Sequence, residues 1–267
     1  MRTLKLTLSY DGTNYVGWQR QTNGMSVQEL VEAAFVPLMS RAVERPVASR
    51  VRGGRAIEGR GPTVAGAGRT DAGVHALGQV ASVTLDLDLA PSAIQQALNV
   101  RLPDDIRVVG VVDAKPGFHA RHHALGKTYR YRLVTTGVLS PFDRWYAWHA
   151  PDARDLEAMR AAAGRLVGTH DFASFQAAGS AVRATVRTLH RLDFAADAGG
   201  MVIEIDGNGF LRHMVRAIVG TLADVGSGLR PPESIDAVLA ARDRAAAGPT
   251  APAAGLTLVS VRYAAVC

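Results

Sequence analysis

A carboxylate set in a glycine-rich turn between two strands is the feature that most restricts this chain. The stretch Gly68-Arg69-Thr70-Asp71-Ala72-Gly73-Val74-His75-Ala76 holds one aspartate, with a guanidinium two residues before it and an imidazole four after it. Thr63 to Gly68 is short, apolar and rich in small residues. Beyond the turn, Ala81, Val83, Leu85 and Leu87 fall on one face of an alternating segment. That pattern reads as strand, loop, strand, with the acid displayed at the loop. Glycines at 66, 68 and 73 open backbone angles closed to other residues and allow close approach by a ligand. Taken alone, an aspartate so placed commonly serves its own turn by bonding nearby backbone.

The rest of the chain mixes both periodicities. Leu4 to Tyr10 alternates as a strand. Ser26-Val27-Gln28-Glu29 is a capping box, with Ser26 at the N-cap and Glu29 reaching back. The helix behind it sets Val27, Leu30, Ala34 and Leu38 on one face, and Pro37 should kink or end it. Helices are expected over Pro91–Val100, with proline at its first position, Arg154–Val167, Phe210–Val225 and Ile235–Ala247. Strands are expected over Ile106–Val112, Lys127–Val134, Thr185–Phe194, Met201–Asp206 and Leu256–Tyr263. Leu4–Leu38 and Met201–Val225 each run strand, Asp-Gly turn, aromatic, helix. This weak repeat fits two α+β halves of similar plan. Residues 41–61 stand apart, with six Arg, two Glu and four Gly and no periodicity. Such a composition cannot offset its ordering entropy, so a solvated loop is expected, with arginines able to touch phosphates.

Composition narrows the classes. Hydrophobic content of 48% supplies a core. No stretch approaches the roughly 18 apolar residues of a membrane span, and Met1 to Lys5 shows no signal-type apolar region. The single cysteine, Cys267, excludes internal disulfides and cysteine-based metal sites and fits a reducing cytoplasm. A net charge of +6 favours a polyanionic partner, since neutralising phosphates releases counterions. The glycine-rich turns match neither a phosphate-binding loop nor a dinucleotide fingerprint. His119 and His123 have i, i+4 spacing, with His75 and His122 as further candidates. Their segment lies between Gly117 and Gly126 and does not read as helix, so no metal and no cofactor is expected.

The string G-R-T-D-A-G-V-H-A resembles the catalytic loop of the bacterial tRNA pseudouridine synthase A family, also called tRNA pseudouridine(38–40) synthase. Further matching segments follow in the expected order. They are Tyr10-Asp11-Gly12-Thr13-Asn14-Tyr15 with Gly17-Trp18-Gln19; Phe118-His119-Ala120-Arg121; Lys127-Thr128-Tyr129-Arg130-Tyr131; and Gly207-Asn208-Gly209-Phe210-Leu211 with His213-Met214-Val215-Arg216. His122 departs from the aromatic usual after F-H-A-R. The family joins helix and catalytic strand more briefly, so 41–61 reads as an insertion.

The resemblance implies an α+β pseudouridine synthase fold, with two similar halves around a largely antiparallel mixed sheet and a central RNA-binding cleft. On that plan 1–117 carries the aspartate loop, and 118–267 carries the base-contacting tyrosine and the arginine that pairs with the acid. It implies a homodimer with one tRNA across both subunits, and isomerisation of uridine in the anticodon stem-loop at positions 38, 39 and 40. It makes Asp71 the essential catalytic residue and Arg216 its partner. It also sets Tyr129 and Leu256 against the target base. Arg69, on an exposed turn, suits phosphate or the flipped nucleotide's backbone.

The chemistry agrees. The glycosidic bond from C1′ to N1 breaks, the uracil turns, and C5 bonds to C1′, so redox, metal and ATP are unnecessary. A carboxylate can attack carbon or remove a sugar proton, and the sequence leaves attack at C1′, addition at C6 and abstraction at C2′ open. Two other classes remain. A non-catalytic RNA-binding module lacks the aromatic-rich strand expected of it and leaves the aspartate loop without purpose. A carboxylate hydrolase wants two working acids at a set separation, and Asp71 stands alone.

Overall fold

A computed structural model describes residues 1–39, 61–180 and 182–265. The arginine-rich insertion read over 41–61 therefore lies outside the described residues, apart from Gly61. The chain divides into two compact units, Met1–Ala124 with Leu258–Cys267, and Leu125–Thr257. The sequence reading divides it after residue 117. Residues 118–124 sit with the first unit because Phe118 and Ala120 pack against Ala67 and Val80, with Val261 and Tyr263 beside them.

In the first unit, β1 (Arg2–Tyr10) leads through α1 (Val27–Met39) to the two-residue β2 (Ala65–Gly66) and to β3 (His75–Leu85). Then come α2 (Pro91–Arg101) and β4 (Ile106–Ala114). β1 lies antiparallel between β3 and β4, with Leu6 opposite both Ala81 and Val111. Its alternation puts Leu4, Leu6 and Leu8 fully inside. The exposed edge of β4 is covered by α2. Asn99 on that helix takes the Val108 N–H at 2.8 Å and returns a bond to the Val108 carbonyl at 2.9 Å. An amide thus satisfies the backbone of an edge strand.

In the second unit, β5 (Gly126–Val134), β6 (Trp148–His149), α3 (Leu156–Gly164), β7 (Gly168–Asp171), β8 (Val186–Asp197) and β9 (Gly200–Gly207) precede α4 (Met214–Gly226) and α5 (Ser234–Ala241). The strands run in the order β5-β9-β8-β7, antiparallel throughout, and β6 adds to β5 in parallel. Tyr129, Tyr131 and Leu133 share the buried face of β5, as the alternation predicts. The closing strand β10 (Leu256–Arg262) places its residues from Leu258 onward in the first unit, beside β3. The expected α+β class and largely antiparallel, mixed strand pairing are what the structure has.

The repeat read from the sequence has a structural echo inside each unit. Asp11, at the end of β1, faces His75 Nδ1 of β3 at 3.0 Å; Asp206, near the end of β9, faces His190 Nδ1 of β8 at 3.0 Å.

Several helix boundaries differ from expectation. α4 begins at Met214 rather than Phe210, because His213 adopts a left-handed backbone, φ 61°, that no helix can run through. α5 ends at Ala241 for the same reason at Arg242, φ 51°. Asp243 there caps a separate turn by accepting the Ala245 N–H at 3.0 Å. α3 spans only Leu156–Gly164, with Asp155 capping Ala158 at 2.9 Å. α1 is described to Met39, with Pro37 in that last turn as expected, but its buried face is Val27, Val31, Ala34 and Phe35 rather than the Leu30 and Leu38 stripe. Leu87 lies beyond the end of β3, and β6 and β7 were not expected from the pattern.

Candidate active site

The Asp71 loop is a bracket between β2 and β3, and the segment after β1 holds it in place. Asp71 forms an antiparallel bridge with Gly17. The Trp18 N–H donates to the Thr70 carbonyl at 3.1 Å, and the Gly73 N–H donates to the Tyr15 carbonyl at 3.3 Å. Within the loop the Val74 N–H closes onto the Asp71 carbonyl at 3.1 Å. Gly17 has φ 108°, and a Cβ there would lie 2.4 Å from the Thr70 carbonyl oxygen, so only glycine lets the two backbones meet. Gly73, φ 77°, makes the turn that brings the chain from Asp71 into β3.

A polar network lies beneath the loop. Tyr10, Thr70 and Gln79 are all buried, at 4%, 6% and 0% exposure. The Tyr10 hydroxyl and Thr70 Oγ1 are 2.8 Å apart. Gln79 Nε2 donates to the Gly68 carbonyl at 3.0 Å and reaches the Tyr10 oxygen at 3.5 Å. Burial pushes the Tyr10 hydroxyl up to about 12, against the opposing pull of its bonds to Thr70 and Gln79. Further out, the Tyr15 hydroxyl donates to Asp105. Burial first, and then that carboxylate, raise its pKa well above the ordinary tyrosine range. His75 is buried and accepts the Gly12 N–H on Nδ1 at 3.1 Å. Asp71 is half-buried and Arg69 is exposed on the turn.

The second unit carries Tyr129, Arg216 and Leu256. Tyr129 is 7% exposed, and its ring meets Phe210 edge-on at 5.0 Å. Tyr131, two residues on, is the core tyrosine: its hydroxyl donates to the Pro252 carbonyl at 2.8 Å, and burial raises its pKa. Arg216 lies on the first turn of α4, half-buried. Its Nε donates to the Ala251 carbonyl at 2.7 Å, and the Ala251 N–H returns a bond to the Arg216 carbonyl at 3.1 Å. This reciprocal clip fixes the root of the guanidinium. Its positive charge acts on the Tyr131 hydroxyl, against the larger effect of burial. Leu256 is buried, next to Gly255, whose Cβ position is 2.6 Å from the Tyr131 ring. Arg69 and Asp71 thus share one loop of the first unit, and the other three site residues belong to the second.

The histidines at 119–123 form a turn. The Arg121 N–H donates to His119 Nδ1 and the His119 N–H donates to His123 Nδ1, each at 3.1 Å. Both δ nitrogens are occupied by backbone. Burial, and then the neighbouring His122 and His123, lower the His119 pKa. Among the described residues no group of three or more His, Cys, Asp or Glu is placed to hold a metal ion.

Tyr10, Thr70 and Gln79 act together in a way the sequence reading missed. The signal was present: Gln79 falls in register with Ala81, Val83 and Leu85, a polar side chain on an apolar face.

One α+β unit thus carries a carboxylate on a loop that glycines bring against its support, and the other carries a guanidinium fixed at its root. The family model for tRNA pseudouridine synthase matches residues 7–122 and 162–264, and the chain belongs to that family. It is similar over nearly its whole length to bacterial proteins named for that activity. It is 42% identical to tRNA pseudouridine synthase A of Geotalea uraniireducens and 43% identical to that of Geobacter sulfurreducens, in each case over 98% of this chain and 100% of the relative. It is also 42% identical to the Myxococcus xanthus protein of the same name, over 98% of this chain and 92% of that one.

Proposed function

We propose that this protein isomerises uridine to pseudouridine in the anticodon stem-loop of tRNA, at positions 38, 39 and 40, with Asp71 as the one catalytic carboxylate. The observation that carries the reading is the Asp71 loop, bracketed by the Gly17–Trp18 backbone and set in a chain that matches the family along its length. Asp71 attacks C1′ or C6, or takes the C2′ proton; on each route the C1′–N1 bond breaks, C5 forms a new bond to C1′, C5 gives up its proton while N1 gains one, and the aspartate is regenerated as the adduct is released or the C2′ proton returned. Arg216 is the residue we assign as the partner that aims the Asp71 carboxylate. Tyr129 offers a ring on which an extruded uracil stacks, Leu256 packs against the base, and Arg69 takes backbone phosphate. The enzyme works as a cytoplasmic homodimer with tRNA across both subunits. No helix among the described residues is long and apolar enough to cross a membrane.

The test is competition between RNA fragments. An isolated anticodon stem-loop carrying the target uridines should be converted and should compete with whole tRNA, whereas an acceptor-arm hairpin should do neither. Conversion of the acceptor hairpin alone would contradict the assignment.

Two expected outcomes belong here. Arg216→Ala should lower single-turnover conversion by about a hundredfold, because an ion pair that aims the reacting group contributes mainly in the transition state. tRNA affinity should change by about threefold or less. Arg216→Lys should recover only part of the rate, since a point charge lacks the planar fork. Activity within a few-fold of wild type in Arg216→Ala would remove the pairing from the account. Affinity for tRNA should also fall steeply with salt, giving a linear plot of log affinity against log salt, as contacts between basic side chains and phosphate require. A flat plot would contradict it.

A further inference from the structure

Gln79 is an amide where packing alone calls for an aliphatic side chain. It lies on the face of β3 that also buries Ala81, Val83 and Leu85, and it is fully enclosed. A buried amide costs about 1–3 kcal/mol where its bonds are unmade, and an apolar residue of the same shape is often no worse for stability. The amide's bonds therefore indicate its use. Nε2 grips the Gly68 carbonyl at 3.0 Å and lies 3.5 Å from the Tyr10 oxygen. Tyr10 in turn reaches Thr70 Oγ1 at 2.8 Å. The chain β3–Gln79–Tyr10–Thr70 thus grips the loop at the residues on either side of Arg69, the second of which immediately precedes Asp71. From the opposite side the Trp18 N–H holds the Thr70 carbonyl at 3.1 Å. Thr70 is pinned through both its side chain and its backbone, which leaves Asp71 little freedom of direction.

We propose that Gln79 and Tyr10 are positioning residues for the reaction: they set the aim of Asp71 through Gly68 and Thr70 without touching the substrate. The inference rests on the reading of Asp71 as the acting carboxylate. Burial keeps the Tyr10 hydroxyl protonated across the working range, so the network stays intact at neutral and mildly alkaline pH. The two side chains act in series on one loop, so their loss should not add.

The test uses the full chain with Tyr10→Phe, Gln79→Leu and the double variant, each measured well below its melting temperature. Single-turnover conversion at saturating protein, tRNA Kd and thermal unfolding are read in parallel. Each single change should slow conversion about ten- to hundredfold, the scale expected when a reacting group is misplaced by about 1 Å. Kd should stay within about twofold, the pattern of an interaction realised only in the transition state. The double variant should be little slower than the slower single. Conversion within about twofold of wild type in either fully folded single variant would overturn the proposal, as would a loss confined to affinity. Wild type and Asp71→Ala run alongside. A wild type that makes no pseudouridine refutes the functional reading itself. An active wild type, an inactive Asp71→Ala and a full-rate Gln79→Leu refute only the positioning role.

Discussion

Asp71→Ala is expected to lose pseudouridine formation by about 10⁴-fold or more, the scale seen when the group that forms or breaks the reacting bond is removed. tRNA binding should survive, and at low salt it should tighten slightly, because a negative charge facing a polyanion has been deleted. The loop itself should persist. It is held by backbone bonds from Trp18 to Thr70 and from Gly73 to Tyr15, and by Gln79 on the Gly68 carbonyl, none of which uses the Asp71 side chain. Thermal unfolding should therefore move little. Equilibrium binding, single-turnover conversion and melting temperature on one preparation check the three parts. Retained conversion would transfer the chemistry to another residue. Lost binding with intact folding would make Asp71 a tRNA ligand and favour a binding module.

Gly17→Ala is expected to damage stability and rate together. Gly17 has φ 108°, where an L-residue is strained by about 1–3 kcal/mol. Its new methyl would also fall 2.4 Å from the Thr70 carbonyl oxygen, a backbone atom that must then move. For a chain of this size the strain alone corresponds to a fall of about 2–5 °C in Tm. The displaced carbonyl belongs to the residue before Asp71, so conversion per folded molecule should fall about tenfold or more. Calorimetry and single-turnover rates on the folded fraction measure both. A variant with wild-type Tm and wild-type rate would show that the close approach of Gly17 to the loop is not needed.

Much of this was legible in the sequence, where side-chain pattern and backbone geometry agree. The strand–turn–strand around Asp71, the alternation of Tyr129, Tyr131 and Leu133, and Pro91 at the start of α2 are local signals that the structure keeps. Ser26 accepts the Glu29 N–H at 3.3 Å, as a capping residue does. The pattern misled where apolar spacing continued through a backbone break. Leu211 is buried in line with the α4 stripe, yet the left-handed His213 separates it from the helix. It misled again on α1, where the inward face includes polar side chains. Gln28 Nε2 donates to the Val64 carbonyl at 3.0 Å, and Glu32 Oε1 accepts the Val64 N–H at 3.0 Å. A reading that sorts residues by polarity turns that helix towards Leu30 and Leu38. β6 and β7 are too short, at two and four residues, to show an alternation. The same blind spot hid Gln79: a buried polar group is explained by the partners that satisfy it, and although its Oε1 accepts the adjacent Val80 N–H at 3.2 Å, the partners of its Nε2, Gly68 and Tyr10, lie 11 and 69 residues away.

The most direct measurement is nucleotide-resolution mapping of pseudouridine in one unmodified tRNA transcript bearing uridines at positions 38, 39 and 40. The transcript is incubated with excess wild-type or Asp71→Asn protein in the presence of a chelator, with RNA folding maintained by monovalent salt. Asparagine keeps the shape of the side chain and removes its charge, so the comparison isolates the carboxylate. Wild type should convert the anticodon stem-loop uridines, and Asp71→Asn should convert none. Conversion of those uridines by Asp71→Asn at a rate near wild type, or conversion by wild type confined to uridines elsewhere in the tRNA, would contradict it.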